Sequence, residues 1–237
     1  NTIITDNPDG FESTSYQIAL SQDDDGSNYL DIEYSNIQDG EASIDINNSG
    51  TLTWGSGNLD VDPMFVDSAN GNYNLVASSM LINAGHPDSS DSDGSRADIG
   101  AYPYLNSYSG PTWYITESGN DTTATGASDD PFRSIQAGIN FSSDADSVTV
   151  AAGTYVENIN FRGRNIKVVG ADRETTIIDG NQAESVVVFK NGETPLALLS
   201  DFTIQNGLGF RGGGVYYYGS NATLTNLKVV DNSASDW

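Results

Sequence analysis

Short apolar runs of β-branched and aromatic residues alternate along most of this chain with Asp, Asn and Gly. The clearest lie in the second half: SVTVAAG, NIKVVGA, TTIIDGN, SVVVFKNG, DFTIQNG, GGVYYYG and ATLTNLKVVDN. Between runs stand Asp-Gly and Asn-Gly pairs, at 9–10, 25–26, 39–40, 70–71, 179–180, 191–192 and 206–207. Such pairs tolerate the left-handed backbone that tight turns need, so the runs read as strands bounded by turns. One stretch departs from this. In DPFRSIQAGINFSSDAD, Phe132, Ile135 and Ile139 recur at helical spacing, with Asp130 placed to cap and Pro131 to open the first turn. This predicts one short α-helix near residues 131–141, laid over an end that would otherwise leave backbone groups unpaired and apolar residues wet.

Strand runs alone fit an antiparallel sandwich as well. Recurrence favours a solenoid. Phe202-Thr203-Ile204-Gln205-Asn206 is followed 25 residues on by the run from Leu227 to Asn232, and Val148, Ile166 and Val186 step forward by 18 and 20. In the first half, NTIITDN and DIEYSNIQDG repeat the same strand-then-Asx-turn order. Fixed strand cores joined by loops of variable length are repeat behaviour. A single turn cannot bury its inward Val, Ile, Leu and Phe; stacking at about 4.8 Å does. Gly212, Gly213 and Gly214 allow a sharp corner there, and among Tyr216, Tyr217 and Tyr218 at least one must face outward.

Two longer blocks carry a resemblance. DVDPMFVDSANGNYNLVASSMLINAGHPDSSDSDGSRADIGAYPY, from Asp60 to Tyr104, resembles the terminal segment of secreted bacterial right-handed parallel β-helix proteins, with its DP-x-F-V-D…L…S…I-x-A-G…DIGAY pattern. WYITESGNDTTATGASDDPFRSIQAGINFSSDADSVTVAAGTYVENINF, from Trp113 to Phe161, is similar to the opening of another such solenoid: first strand, capping helix, first coil. The resemblance implies an all-β, right-handed parallel β-helix in two half-solenoids. Residues 1–104 would be a C-terminal-type half, 105–111 a linker, and 112–237 an N-terminal-type half with its capping helix. The closing half thus stands before the opening half. That order leads us to expect either ends completed by neighbouring units or a segment of a longer tandem array. The chain opens on Asn1 in a strand-like run without a signal-peptide pattern, as a processed product or an excerpt would.

Charge narrows the partners. Of 237 residues, 33 are acidic and 9 basic, and residues 1–95 contain no Lys or Arg at all. Such a surface repels nucleic acid and anionic membranes, and no apolar run is long enough for insertion into a membrane. The absence of Cys removes thiolate nucleophiles and cysteine zinc sites. The single His86, in a turn before Pro87, is expected at solvent and excludes paired-histidine metal sites. Abundant Asn, Asp, Ser, Thr and Gly with little Lys suggest an extracellular or cell-surface location.

The densest candidate chemistry is HPDSSDSDGSRADIG. Asp88, Asp91, Asp93 and Asp98 crowd around Gly94, and Ca²⁺ takes several oxygens from such tight turns. The EF-hand spacing and its closing Glu are missing. The competing reading is ordinary turn chemistry, with Arg96 paired to Asp98. Asp23, Asp24 and Asp25 before Gly26 form a second calcium candidate. Arg162, Arg164, Lys167 and Arg173 suggest the basic face of a polysaccharide lyase, but no carboxylate pair accompanies them, and a surface of mixed charge fits better. Gly209–Gly214 lacks the Lys-Ser/Thr of a phosphate loop. Tyr102, Tyr104, Tyr108, Trp113 and Tyr114 could stack on sugar rings, though packing the two halves together is more economical. N-x-S/T triplets stand at Asn47, Asn120, Asn140 and Asn221.

With no catalytic residues identified, the expectation is a non-enzymatic extracellular structural protein stacking head to tail on copies of itself into a filament. Ile3 and Ile4 would form one side of the assembly interface, and Leu227, Val229 and Trp237 the other. The alternatives are a surface adhesin or carbohydrate-binding tandem stalk engaging polysaccharide, and a polysaccharide lyase or hydrolase of the β-helix type.

Overall fold

A computed structural model describes residues 2–5, 16–20, 28–46 and 50–235. Among the described residues the protein is all-β apart from one α-helix and two short 3-10 turns, and it divides into two compact units, Asn1–Leu105 and Asn106–Trp237.

Unit 1 contains β1 (Ile3–Ile4), β2 (Ile18–Ala19), β3 (Asn28–Ile32), β4 (Asn36–Ile37), β5 (Ile44–Asp45), β6 (Gly50–Trp54), β7 (Phe65–Asp67) and β8 (Asn72–Leu75). Three parallel pairs form, β1 with β4, β2 with β5 and β3 with β6. Ile32, Ile37 and Ile44, one from each of β3, β4 and β5, make the buried cluster, with Ile4, Ile18, Leu30, Leu52 and Trp54 half-buried around it. β-Branched residues hold this geometry because their restricted χ1 suits the pleat. The chain then changes style. β7 and β8 are antiparallel, joined through a 3-10 turn whose N-cap Asp67 accepts from Asn70 N–H and which closes on Gly71 in left-handed backbone (φ 80°). An irregular segment follows, and it buries Ala77, Leu81, Ile82 and Ile99 beside Leu75 at the end of β8.

Unit 2 starts with β9 (Thr112–Ile115) and α1 (Ile135–Phe141), and four turns follow. The first holds β10 (Ser147–Val150), β11 (Gly153–Val156) and β12 (Ile159–Asn160); the second β13 (Lys167–Gly170), β14 (Thr176–Asp179) and β15 (Val187–Phe189). The third holds β16 (Leu198–Ser200), β17 (Thr203–Gln205), β18 (Leu208–Gly209) and β19 (Val215–Tyr217), and the fourth β20 (Thr223–Thr225), β21 (Lys228–Val229) and β22 (Ser233–Ala234). Corresponding strands stack in parallel ladders: β9-β10-β13-β16-β20, β11-β14-β17-β21, β12-β15-β19 and β18-β22.

Three sequence expectations shift here. The helix starts at Ile135 with Ser134 as N-cap, not at Asp130 and Pro131. Asp130 instead accepts from Thr125, and Phe132 is extended, bridging Ile115 with its N–H on Tyr114 O. Next, Val148, Ile166 and Val186 do not form one column. Val148 pairs with Val168, whereas Ile166 and Val186 precede strands of two different ladders. A constant step fails because turn lengths differ: Ser147 pairs with Lys167, Lys167 with Leu198, and Leu198 with Thr223. The step of 25 does hold, since Thr203 pairs with Lys228. Finally, the glycine corner serves close backbone approach. A Cβ on Gly213 would collide with Ser233 O, and one on Gly207 with Gly213 O.

Candidate functional site

Strand register sorts the inward residues of unit 2 into three columns. The first runs Trp113, Val148, Val168, Leu199, Leu224; the second Tyr155, Ile178, Ile204, Val229; the third Phe161, Phe189, Tyr217. In the third column the rings pack directly, with centroids 4.3 Å apart for Phe161 and Phe189 and 4.9 Å for Phe189 and Tyr217. Every member is at most 4% exposed until the last, and then Leu224 is 37%, Val229 51% and Tyr217 37% exposed. All of β20, β21 and β22 is exposed too. Among the described residues, the last turn of unit 2 thus leaves its column ends exposed, along strands that each pair with the turn before.

Of the residues expected at an assembly interface, Val229 lies on this face and Leu227 is half-buried beside it. Trp237 lies outside the described residues. Ile3 and Ile4 are in β1, but both also serve unit 1 itself: Ile4 packs on the isoleucine cluster, and Ile3 lies close to Gly100. Leu224 and Tyr217 escaped sequence reading, because register, not composition, makes them column ends.

A shared corner links the chemistry of the two units. Asn232 Oδ1 accepts from Gly207 N–H at 2.8 Å, while its Nδ2 donates to Ile204 O at 2.9 Å and Val230 O at 2.7 Å. Asn58 does the same in unit 1, accepting from Ser35 N–H at 3.1 Å and donating to Ile32 O at 2.8 Å and Gly55 O at 3.2 Å. The residue before each, Asp231 (φ 53°) and Gly57 (φ 73°), is left-handed, as are Asn206 (φ 55°) and Tyr34 (φ 45°) one turn earlier. A carboxamide carries both donor and acceptor, so it replaces ladder bonds where the backbone turns away. Sequence reading took Asn232 only as the end of a recurring run and did not single out Asn58.

The acidic segment is engaged from within. Asp98 is buried; its Oδ1 accepts from Asn83 N–H at 2.7 Å and its Oδ2 from Tyr104 N–H at 2.8 Å. Asp91 Oδ2 accepts from Asp98 N–H at 3.0 Å, and Asp93 Oδ1 from Ser95 N–H and Oγ–H. Asp88 is exposed, its N–H donating to His86 Nδ1. Burial pushes Asp98 up to about 6 against the lowering pull of its two N–H donors, with Asp91 and Asp93 adding like charge. Burial raises Asp91 as well. The expected Arg96–Asp98 pair does not form: Arg96 donates to Gly85 O and Ala84 O and lies over the Tyr34 ring. His86 is half-buried rather than free in solvent, edge-on to Tyr34 with its Nε2 3.9 Å from Glu33 Oε1. Among the described residues, no three His, Asp or Glu side chains gather to hold a metal. Asp23, Asp24, Asp25 and Asn47 lie outside the described residues.

The basic run separates into two groups. Arg162 Nη1 donates to Asn140 Oδ1 and Arg164 Nη2 to Asn140 O, placing positive charge at the C-terminal end of α1, where the helix dipole favours it. Arg173 meets Glu174 on the surface, as does Lys228, and Lys167 is exposed. Trp113 belongs to the core of unit 2, its Nε1–H on Asp146 Oδ2 at 3.0 Å and Tyr108 edge-on to its ring. It is thereby removed from sugar stacking. Asn140 is buried inside α1, which closes that triplet to glycosylation in the folded chain. In unit 1, Gln38, Asp60, Asp62, Phe65 and Ser68 are among the residues lining a cleft of about 560 Å³.

Parallel ladders, an open apolar end and a bonded-up acidic loop define an all-β protein of stacked strands. Comparison with known families agrees for part of it: residues 117–195 match the family described as "Protein of unknown function (DUF1565)", a family associated with parallel β-helix proteins. No curated protein and no solved structure matches the chain.

Proposed function

We propose that this chain is a non-enzymatic, extracellular structural module of the right-handed parallel β-helix type, whose open end stacks on the first strands of another copy. The carrying observation is the abrupt exposure of Leu224, Val229 and Tyr217 at the ends of three otherwise buried columns. Apolar area left wet costs roughly 25 cal/mol per Å², so a following layer of matching cross-section gains stability by covering it. The repeated Asn58 and Asn232 corners support the match, because they give both units the same turn geometry. Right-handed winding is the hand that parallel crossovers take. Contacts of this kind are heterologous and do not close, so repetition gives a filament by strand addition.

A structural role also suits the two most displaced carboxylates, Asp98 and Glu157, because backbone N–H groups occupy both oxygens of each. For the acidic loop at 88–98 we favour a carboxylate-stapled closure over a calcium site. A carbohydrate-binding stalk is the second reading, favoured by the cleft that places Asp60, Asp62 and Gln38 beside Phe65.

Sedimentation velocity across a concentration series, with negative-stain microscopy, tests the stacking. Concentration-dependent linear polymers are expected, and Leu224→Asp with Val229→Asp should abolish them while leaving a folded monomer. These positions are cleaner than Ile3→Asp and Ile4→Asp, which should shorten polymers but also weaken unit 1. A monodisperse wild type at all concentrations sinks the proposal.

A further inference from the structure

The cleft in unit 1 is built on the segment between β6 and β7. Asn36 pins that segment at Val61, its Nδ2 donating to Val61 O at 2.9 Å and its Oδ1 accepting from Val61 N–H at 3.0 Å. Two residues on, Pro63 is buried, and its carbonyl accepts from Ser79 Oγ–H at 2.7 Å. Asp60 and Asp62 flank Val61 in the chain, and each is fixed through a single oxygen. Asp60 Oδ1 accepts from Asp39 N–H at 3.1 Å, and Asp62 Oδ1 from Met64 N–H at 2.8 Å. Both side chains line the cleft, and among the described residues neither Oδ2 has a donor. Thr5 and Gln38, which follow β1 and β4, line it too, joined by Thr5 Oγ1–H to Gln38 Oε1 at 3.1 Å. Met64 and Phe65 give it apolar surface. Met64 is 40% exposed, and Phe65 is half-buried with its ring edge-on to Tyr73 at 5.3 Å.

We infer that this cleft binds a sugar ring carrying a protonated amine, with the ammonium group paired to the spare oxygens of Asp60 and Asp62 and the C–H face of the ring on Met64 and Phe65. This deepens the carbohydrate-binding reading given above and rests on it; it does not depend on stacking.

A carboxylate oxygen accepts and never donates, so two unspent ones call for a donor-rich ligand. Among the described residues, no Lys, Arg or His lines the cleft. Arg96 is the single Lys or Arg of residues 1–105, and it is spent on Gly85 O and Ala84 O. A uronic acid or a sulfated sugar would therefore set like charge against Asp60 and Asp62 with no cation to offset it. An ammonium group brings three donors and the opposite charge, and charge-assisted bonds are the stronger kind. A neutral sugar offers hydroxyl donors without the charge match and should bind less tightly. The mixed lining suits a pyranose, whose edges are polar and whose faces are apolar. The cavity of about 560 Å³ falls within the range of about 300–1,000 Å³ usual for small-molecule sites. Because the fixing bonds use Oδ1 and backbone atoms, the spare acceptors are held in place before a ligand arrives.

Isothermal titration of the full chain with glucosamine oligomers, at mildly acidic pH and low salt, tests the assignment. N-acetylglucosamine and galacturonate oligomers of equal length serve as contrasts. Glucosamine oligomers should bind at least about tenfold more tightly than the N-acetylated ones, and galacturonates should not bind. Asp60→Asn with Asp62→Asn keeps an acceptor for each fixing N–H, exchanges each spare oxygen for a donor, and should weaken glucosamine binding at least about tenfold. Asp31→Asn with Asp88→Asn removes the same charge at exposed positions outside the cleft, and should weaken it less than about twofold. Equal weakening by the two double variants would mean general attraction to an acidic surface, and overturns the site. N-acetylated oligomers that bind as tightly as glucosamine, undiminished by Asp60→Asn with Asp62→Asn, would keep the carbohydrate reading and overturn the ammonium pairing, as would binding of galacturonate. Failure of all three oligomers to bind ends both.

Discussion

Units 1 and 2 use one grammar of short strands and Asx corners, yet bury it very differently. Among the described residues, unit 1 stacks its parallel strands in pairs, with one further parallel bridge from Asn36 to Leu59, and around three buried isoleucines the apolar residues packed on them remain half-buried. Unit 2 stacks up to five, and its middle turns reach zero exposure at Val148, Val168, Ile178, Leu199 and Ile204. A turn is sealed only by neighbours on both sides, so burial depends on how many turns are stacked as well as on how apolar each one is. Unit 1 compensates with an irregular terminal segment, where Leu81, Ile82 and Ile99 are completely covered and Asp98 pins the chain from Asn83 to Tyr104.

The sharpest way to break this comparison is to cut one column at two depths. Ile204→Ala, in mid-column, should cost about 2–5 kcal/mol of unfolding free energy by denaturant titration. The partly exposed Val229→Ala, at the end of the same column, should cost under about 1 kcal/mol. Equal costs would mean that the fourth turn is not an open end.

Unit 1 has its own signature in pH. The folded-state value of Asp98 is raised, so its contribution is fully present below the ordinary value of 3.8 and is lost as pH rises through about 6. The stability difference between wild type and Asp98→Asn should therefore fall by about 2 kcal/mol between pH 4 and pH 7, measured by thermal unfolding at each pH. A flat difference would remove burial as the cause.

The shared corner predicts likeness instead of contrast. Asn58→Ala and Asn232→Ala each strip one acceptor and two donors from the same positions, and each should cost about 1–3 kcal/mol. Widely different losses in chemical denaturation would show that the two corners are alike in shape but not in energy. The smallest expected effect is that of calcium. Millimolar Ca²⁺ should shift the melting of the 88–98 region by under about 1 °C, since ligand-linked stabilisation needs a site with oxygens to offer.

Much of the architecture was legible because it is written in local chemistry. Alternation of apolar runs with Asp-Gly and Asn-Gly specified strands and turns, and the 25-residue step from Phe202 to Leu227 matches the register of β17 on β21. The helix was visible in Phe132, Ile135 and Ile139, but its start was not. Asp130 and Pro131 make a reasonable cap until a bond to Thr125 and a bridge to Ile115 claim that segment. Arg96 and Asp98, near neighbours in sequence, looked like an ion pair, but each is drawn instead to backbone groups of the surrounding loop.

By itself, then, the sequence determined the strand grammar, the acidic and cysteine-free surface, and the presence of one helix, since these follow from residue type and near-neighbour spacing. Only the tertiary structure decided which residues end a column, which asparagines bridge turns, and which carboxylates accept from backbone N–H groups. Those properties depend on register between strands 20 to 31 residues apart, and loops of unequal length erase that register from any periodicity along the chain.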